Sequence, residues 1–533
     1  NDCDGRVDDD DPDVDIFTQV LMYLDADGDG WGVTDEFLGH LCSSYPGGAE
    51  RSGDCDDSDA MIYPHRLDFN DEIDSDCDGE PGHFYASTTE YGWAGSSTGS
   101  AFGAVIDAKD IDGDGRNEVL VGAYNEGEYV GSIKLIPGEL RGDRTSFPEE
   151  GLIWDGEQDD DRIGYSIDFA GDWDGDGIED IVVGSPYRDE YTGLAYIFSS
   201  GLPAGSLSDA SLKMENLAAE SYFGHAVLGL GDINDDGLDD VLISARKDSR
   251  SEYSNAGSIV VAYGGDTEMM MPPEERTIFG ESNNDQLGYA LAAAGDPDGD
   301  GMSDFLVGAP YCDDGENNGG CAFLMSADDL DEALGVLDGI PRFYGMVINE
   351  NVGLALGTAG DVDGDGLDDL LIAGSNRDVT VSDVTVSDVG AAYVMLGSTG
   401  GWESTSLADA HLVMLGISES DKTGRYLNGI GDINGDGMQD LAISAVTADV
   451  FGEVEAENMG IVYGVLGRSE PATIELALDA DFQILGRESN DYLGKGIARA
   501  GDVNDDGLDD FWLGANGDTS YGSIYLLEGV EAP

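Results

Sequence analysis

Seven stretches of the chain share the pattern D-x-[DN]-x-D-G-x-x-[DE], which places oxygen donors at alternate positions of a short loop. The first offers Asp110, Asp112, Asp114, the main-chain carbonyl of Arg116, and Glu118. The next three offer Asp172, Asp174, Asp176, Ile178 and Asp180; Asp232, Asn234, Asp236, Leu238 and Asp240; and Asp296, Asp298, Asp300, Met302 and Asp304. The last three offer Asp361, Asp363, Asp365, Leu367 and Asp369; Asp432, Asn434, Asp436, Met438 and Asp440; and Asp502, Asn504, Asp506, Leu508 and Asp510. Side-chain oxygens at positions 1, 3 and 5 converge on one side of a tight loop. Glycine at position 6 allows the turn, a carbonyl serves at position 7, and the acid at position 9 closes the cage. Such an all-oxygen cage suits Ca2+ in size and flexibility, whereas Mg2+ keeps more of its own water. No Cys or His lies in these loops to suit zinc or copper.

An eighth loop follows a different spacing. Asp25, Asp27, Asp29, the carbonyl of Trp31, and Glu36 fit a twelve-residue EF-hand loop, with Gly30 at position 6 and Gly32 where an aliphatic residue is usual. Its flanks, DIFTQVLMYL from Asp15 and TDEFLGHL from Thr34, are read as helices. Two acidic cysteine segments follow, around Cys55 and Cys77, and the chain opens on a third, Asn1-Asp2-Cys3-Asp4-Gly5. Residues 1–80 are therefore expected to be a small calcium-stapled module, and the chain a piece of something longer. Cys42 with Cys55 and Cys3 with Cys77 are candidate disulfides, and Cys312 with Cys321 brackets an Asp/Gly/Asn-rich excursion. Spacing alone does not fix the connectivity of the first four.

The seven loops recur at intervals of 60 to 71 residues, the mark of a repeat architecture. Before each lies a glycine, as in Phe102-Gly103, Ile163-Gly164 and Phe223-Gly224. After each comes a short apolar run ending in a small-residue turn, such as DIVVGSPY from Asp180, and two further β-branched or aromatic runs complete the unit. Four strands, A to D, in each unit make the blade of a β-propeller. The expected fold is all-β: a seven-bladed β-propeller over 81–533 behind the small N-terminal module. The last repeat has no strand D of its own, so a strand near 83–86 (His83-Phe84-Tyr85-Ala86) is expected to close the ring.

This frame resembles the FG-GAP repeat of the integrin α-subunit propeller. Phe102-Gly103, Phe223-Gly224, Gly184-Ser185-Pro186 and Gly308-Ala309-Pro310 carry its motifs, while Ser244-Ala245-Arg246, Ala373-Gly374-Ser375 and Ser444-Ala445-Val446 depart from it. The cysteine segments look like the acidic Cys-Asp repeats of secreted bacterial proteins and, distantly, thrombospondin type 3 repeats. The resemblance implies an adhesion or recognition protein, with a protein or glycan ligand on the propeller face opposite the calcium loops. Together, disulfides and calcium imply an extracellular or cell-surface location.

Charge narrows the partners. With 112 Asp+Glu against 23 Lys+Arg, the net charge is −89. Nucleic acid is excluded as a partner, because phosphate binding needs a basic face. No apolar run is long enough for a transmembrane helix. A catalytic reading finds little support. The five histidines form no metal pair, Gly95-Ser96-Ser97-Thr98-Gly99 lies in a linker, and Arg141-Gly142-Asp143 is a three-residue match. The chain is therefore read as a non-enzyme with Ca2+ as its cofactor. Two alternatives stay open. A polysaccharide-active enzyme or lectin would be favoured by an Arg/Tyr pocket on one face, and a self-assembling surface layer or filament by calcium-dependent oligomers.

Overall fold

The computed structural model describes residues 20–530 except 35–36, 42–46, 65, 70–72, 79–83, 87–88, 90, 139–150, 216–217, 251–252, 267–275, 333–336, 338, 382–383, 450–456 and 518–520. It falls into two compact units, Asn1–Phe84 and Tyr85–Pro533.

In the larger unit the described residues form seven sheets, one per repeat, each built on four antiparallel strands, with a fifth strand at the outer edge of four of them, and the protein is nearly all-β. The first sheet is Val105–Lys109, Glu118–Ala123, Ser132–Ile136 and Leu152–Asp155 in spatial order. Each acidic loop joins strand A to strand B of its sheet. Strand B is buried along its whole length in every repeat, as in Asp180–Ser185 and Asp510–Ala515. Neighbouring sheets cover both its faces, so its sequence reads as a continuous apolar run rather than an alternation. Strands A of successive sheets touch, and Leu493–Gly501 of the last touches Val105–Lys109 of the first, so the sheets form a closed ring. This is the architecture of a β-propeller.

The strand that completes the seventh sheet is Tyr91–Ala94, not 83–86. It pairs antiparallel with Ser523–Leu527, with Trp93 opposite Ile524. Trp93 stacks on Trp512 at a centroid distance of 5.5 Å and joins Phe102, Val121 and Ala500 in the cluster that spans the last and first sheets. Tyr85 instead packs with Met459, Ile461 and Leu485 beside the sixth sheet, and His83 lies outside the described residues. The expectation chose a strand-like run by position. The Trp93 run wins because it buries two indoles at the seam.

The repeat motifs are explained by one contact. The glycine of each FG pair packs on the first residue of the GAP turn of the preceding sheet. Gly224 has φ +77°, and a Cβ placed on Gly184 would lie 1.9 Å from the Gly224 carbonyl oxygen. Gly514 meets Gly103 in the same way (1.8 Å), carrying the interlock across the seam. The departures from GAP keep this position small: Ser244 faces Gly288, Ala373 faces Gly424 and Ser444 faces Gly494. The residue after each FG glycine then points into the axial channel, giving a ring of Ala104, Tyr165, His225, Tyr289, Leu354, Arg425 and Lys495. Outer edges are partly covered by parallel strands from the following repeat, such as Ala472–Glu475 on Leu412–Leu415, which blunts edge-to-edge association.

Among the described residues of the smaller unit, the flanks of the acidic loop are strands rather than EF-hand helices. Val20–Leu24 and Phe37–Leu41 are antiparallel strands, with Val20 opposite Leu41, so the acidic loop sits in a hairpin. Short apolar runs do not distinguish helix from strand by periodicity; here a third strand, Gly48–Ala49, pairs with Val20–Leu24 and decides the outcome. Cys55 bonds to Cys77 (Cα–Cα 5.7 Å), and Cys312 to Cys321 (5.8 Å). The candidate pairs Cys42–Cys55 and Cys3–Cys77 are thus replaced; Cys3 and Cys42 lie outside the described residues.

Trp93→Ala is expected to destabilise the propeller by about 3–5 kcal/mol, the usual cost of emptying a buried tryptophan site. Faster amide exchange should appear in both the first and seventh sheets. Exchange confined to residues before Tyr91 would show that closure lies elsewhere.

Candidate metal centre

The seven loops share one hydrogen-bond pattern. At position 1, one carboxylate oxygen accepts the N–H of the position 6 glycine: Gly115 to Asp110 at 3.0 Å, Gly366 to Asp361 at 2.9 Å, Gly507 to Asp502 at 2.9 Å. At positions 3 and 5, one side-chain oxygen accepts the N–H two residues on. Asp365 donates to Asp363 (3.1 Å) and Leu367 to Asp365 (2.9 Å), and Asp114 and Arg116 repeat this with Asp112 and Asp114. These Asx turns fix each side chain through one oxygen and leave each aspartate a second; at position 3 of two loops Asn434 and Asn504 instead donate Nδ2–H to Asp436 and Asp506. Ligand oxygens of Asp110, Asp112 and Glu118 lie within 4.8 Å of one another.

Position 9 does two jobs. Its carboxylate is buried in all seven loops, and in those of Glu118, Asp240, Asp369, Asp440 and Asp510 it ties the loop to the end of strand C. Asp369 accepts from Val362 (2.8 Å) and Gly397 (2.8 Å), Asp440 from Ile433 (2.9 Å) and Gly467 (2.8 Å), and Asp510 from Val503 and Gly529, both at 2.8 Å. Glu118 makes the same pair with Ile111 and Gly138. Burial, followed by the neighbouring loop carboxylates and opposed by these N–H donors, pushes Asp180, Asp369, Asp440 and Asp510 up to about 7 and Asp240 to about 6. Asp304 is also raised by burial to about 7, and Glu118 is raised.

Positions 7 and 8, by contrast, reach the loop of the preceding sheet. Asp239 accepts the N–H of Asp172 at 2.7 Å, Asp368 that of Asp296 at 2.8 Å, and Asp509 that of Asp432 at 2.8 Å. Glu179 accepts from Lys109 at 2.8 Å. Side chains at position 7 lie over position 4 of the preceding loop: Leu238 over Gly175, Leu367 over Gly299, Met438 over Gly364 and Leu508 over Gly435. Where that position is Asp505, position 7 is Arg116, and the two pair at 3.0 Å across the seam. The sequence reading stopped at the ligand positions. The acid recurring at position 8, in the run D-G-x-[DE]-[DE], was the available signal.

The structure carries no ligands, and its donor set fits a hard cation. Among buried polar atoms without a partner are Oδ1 of Asp172, Asp180 and Asp296, and Oδ2 of Asp27, Asp29 and Asp54. A buried carboxylate oxygen with no donor is costly, and a divalent cation satisfies several at once. In the smaller unit, Asp25 accepts from Gly28 (2.7 Å) and Asp29 from Trp31 (2.7 Å), while Asp25, Asp27 and Asp29 group together. Asp27 also groups with Asp54 and Asp57, and Asp74, Asp76 and Asp78 form a third set. Of these, the sequence reading named as ligands only the first three with Trp31 and Glu36; Glu36 lies outside the described residues. Asp54 and Asp57 come from a later segment, beyond the reach of a twelve-residue pattern.

The sign of the pH dependence follows. An acid whose folded pKa is raised disfavours its charged form, so the metal-free fold loses stability as pH rises from about 4, the unfolded value, through 7. A cation must displace those protons. Adding calcium to weakly buffered metal-free protein at pH 6 should therefore release protons, and the metal-free melting temperature should fall between pH 5 and 7.5. Calcium uptake without proton release would show that the position 9 acids are already ionised.

Comparison with known proteins supports both halves of this picture. Residues 1–9 and 54–81 match the family Cu-binding MopE, described as a metal-binding motif. The chain is 28% identical over 326 residues to integrin alpha pat-2 of Caenorhabditis elegans, covering 57% of this chain and 24% of that protein. It is 29% identical over 237 residues to integrin alpha-PS2 of Drosophila melanogaster, covering 41% and 16%, and 36% identical over 159 residues to human integrin alpha-11, covering 28% and 13%. The aligned region thus amounts to at most about a quarter of these relatives. With its FG and GAP glycines interlocked around a closed ring, the chain is similar in its repeat region to the FG-GAP propeller of integrin α subunits.

Proposed function

We propose that the protein is a calcium-loaded extracellular or cell-surface recognition protein, in which the propeller is the scaffold and the end opposite the acidic loops is the binding face. The observation that carries the reading is the uniform loop geometry. Every loop is held by the same N–H to side-chain oxygen turns, and in the loops of Asp172 and Asp296 carboxylate oxygens are buried without a donor. The resemblance to integrin α subunits favours adhesion or recognition over catalysis. Two disulfides suit an oxidising compartment, and no helix among the described residues is long and apolar enough to cross a membrane.

Calcium is favoured over copper for the propeller because its loop donors are carboxylate, amide and carbonyl oxygens. For the smaller unit the matched family's name raises copper, but the three described clusters consist of aspartates alone. They too suit a hard cation.

Ligand that binds only the folded state stabilises it by about 2.7 kcal/mol per independent site at a hundredfold excess over Kd. Calcium should therefore raise the melting temperature of chelator-stripped protein by tens of degrees, and copper should not substitute. A melting temperature indifferent to calcium would contradict the proposal. Copper-selective stabilisation would reassign the N-terminal clusters.

A further inference from the structure

The axial channel ends, on the side away from the acidic loops, in a mouth of about 610 Å³. Cations gather here in a chain otherwise rich in acid. Elsewhere many basic side chains are paired with carboxylates, among them Arg188 with Asp161 (3.1 Å), Arg342 with Asp314 (2.6 Å) and Arg499 with Asp509 (2.8 Å). At the mouth, aromatic rings replace the carboxylates. Arg162 lies over Tyr129 and Tyr187 at 4.6 and 4.9 Å, and Arg246, at the rim, over Tyr222 and Tyr289 at 4.3 and 5.4 Å. Lys495 donates to the Tyr124 hydroxyl at 3.0 Å. Among the described residues, Arg162, Arg246, Arg425 and Lys495 make no ion pair.

The mouth also holds unmatched polar atoms. His225 is 9% exposed, lines the cavity, and its Nδ1 has no partner; Oδ1 of Asn125 in the lining is likewise buried and unpartnered, as is Nε of Arg246 behind Tyr289. His225 is kept neutral by burial and by the nearby Arg246 and Arg425. Such atoms call for hydroxyls, which donate and accept, while the cations call for carboxylate. Deeper in the channel, Asp107 and Asp168 line the wall, so an anion is held at the mouth. Strand A separates the mouth from the acidic loops by six or seven residues, or about 20–23 Å. That exceeds the Debye length of about 8 Å at physiological salt, so the local cations act on a ligand largely free of the loops' repulsion.

We propose that this mouth binds a carboxylated saccharide, a uronate-bearing oligosaccharide of a few residues. The cations engage the carboxylates; His225, Asn125 and the tyrosine hydroxyls engage the sugar hydroxyls. An acidic peptide side chain satisfies only the first set. This names the ligand class for the recognition face and so rests on the reading above.

Calorimetry at saturating free calcium and 0.15 M NaCl tests it with trigalacturonate, maltotriose and triglutamate. Trigalacturonate should bind, maltotriose should not, and triglutamate should bind at least tenfold more weakly. Arg425→Gln and Lys495→Gln should each weaken trigalacturonate at least tenfold without changing the calcium-dependent melting temperature. Arg162→Gln, closer to the rim, serves if either fails to fold. Absent binding, binding unchanged in the variants, or equal binding of triglutamate would each overturn the inference. Should calcium-dependent melting persist in that event, the recognition scaffold stands and only its ligand class falls. Should calcium have no effect on melting, the scaffold reading itself fails.

Discussion

The structure depends on gathering carboxylates that repel one another unless something positive sits among them. Each loop concentrates three or four acidic or amide oxygens, and its ninth-position acid is buried within the sheet. Like charges a few ångströms apart cost several kcal/mol at the effective dielectric of a protein surface. Protons relieve part of that at low pH, and a bound divalent cation relieves it at neutral pH. The loop is therefore strained by charge when empty and rigid when filled. Position 9 transmits the state of the cage to strand C through Gly397, Gly467 and Gly529, and position 8 transmits it to the previous sheet. With the cation proposed above in the loops, metal binding and ring integrity would be one property.

The two ends of the ring are held by opposite means. At the acidic end, carboxylates and backbone N–H groups clasp neighbouring loops. At the other end, a glycine packs on a glycine in four repeats, so closely that no Cβ fits, and on Ser244, Ala373 or Ser444 in the other three. That contact frees the following residue to face the channel, and its identity varies from repeat to repeat: alanine, tyrosine, histidine, leucine, arginine, lysine. A fixed scaffold with one variable position per repeat is a common way for a repeat fold to build a binding surface.

Much of this was legible in the sequence. The DxDxDG loops, their spacing and the glycine pairs announce the repeat because each is a local necessity of turn geometry. The hydrogen-bonded turns of the loops and the Cys312–Cys321 staple are equally local. What was not legible depends on register between distant segments. Tyr91–Ala94 closes the ring because Trp93 finds Trp512, some 420 positions away. Asp54 and Asp57 join Asp27 only once the hairpin has folded. The flanks of the Asp25 loop pair with each other as strands, and Gly48–Ala49 gives Val20–Leu24 a second partner. The cations at the channel mouth come from separate repeats, and only ring closure brings Lys495 beside Tyr124.

The central claim is that the acidic loops are a set of equivalent calcium cages that hold the ring together. Native mass spectrometry of the intact, chelator-stripped chain titrated with calcium addresses it most directly, because it counts ions in the folded protein. The account predicts at least seven calcium ions per chain, with the narrow charge-state distribution of a compact fold appearing as they bind. A compact chain that carries none, or that saturates at one or two, would contradict it.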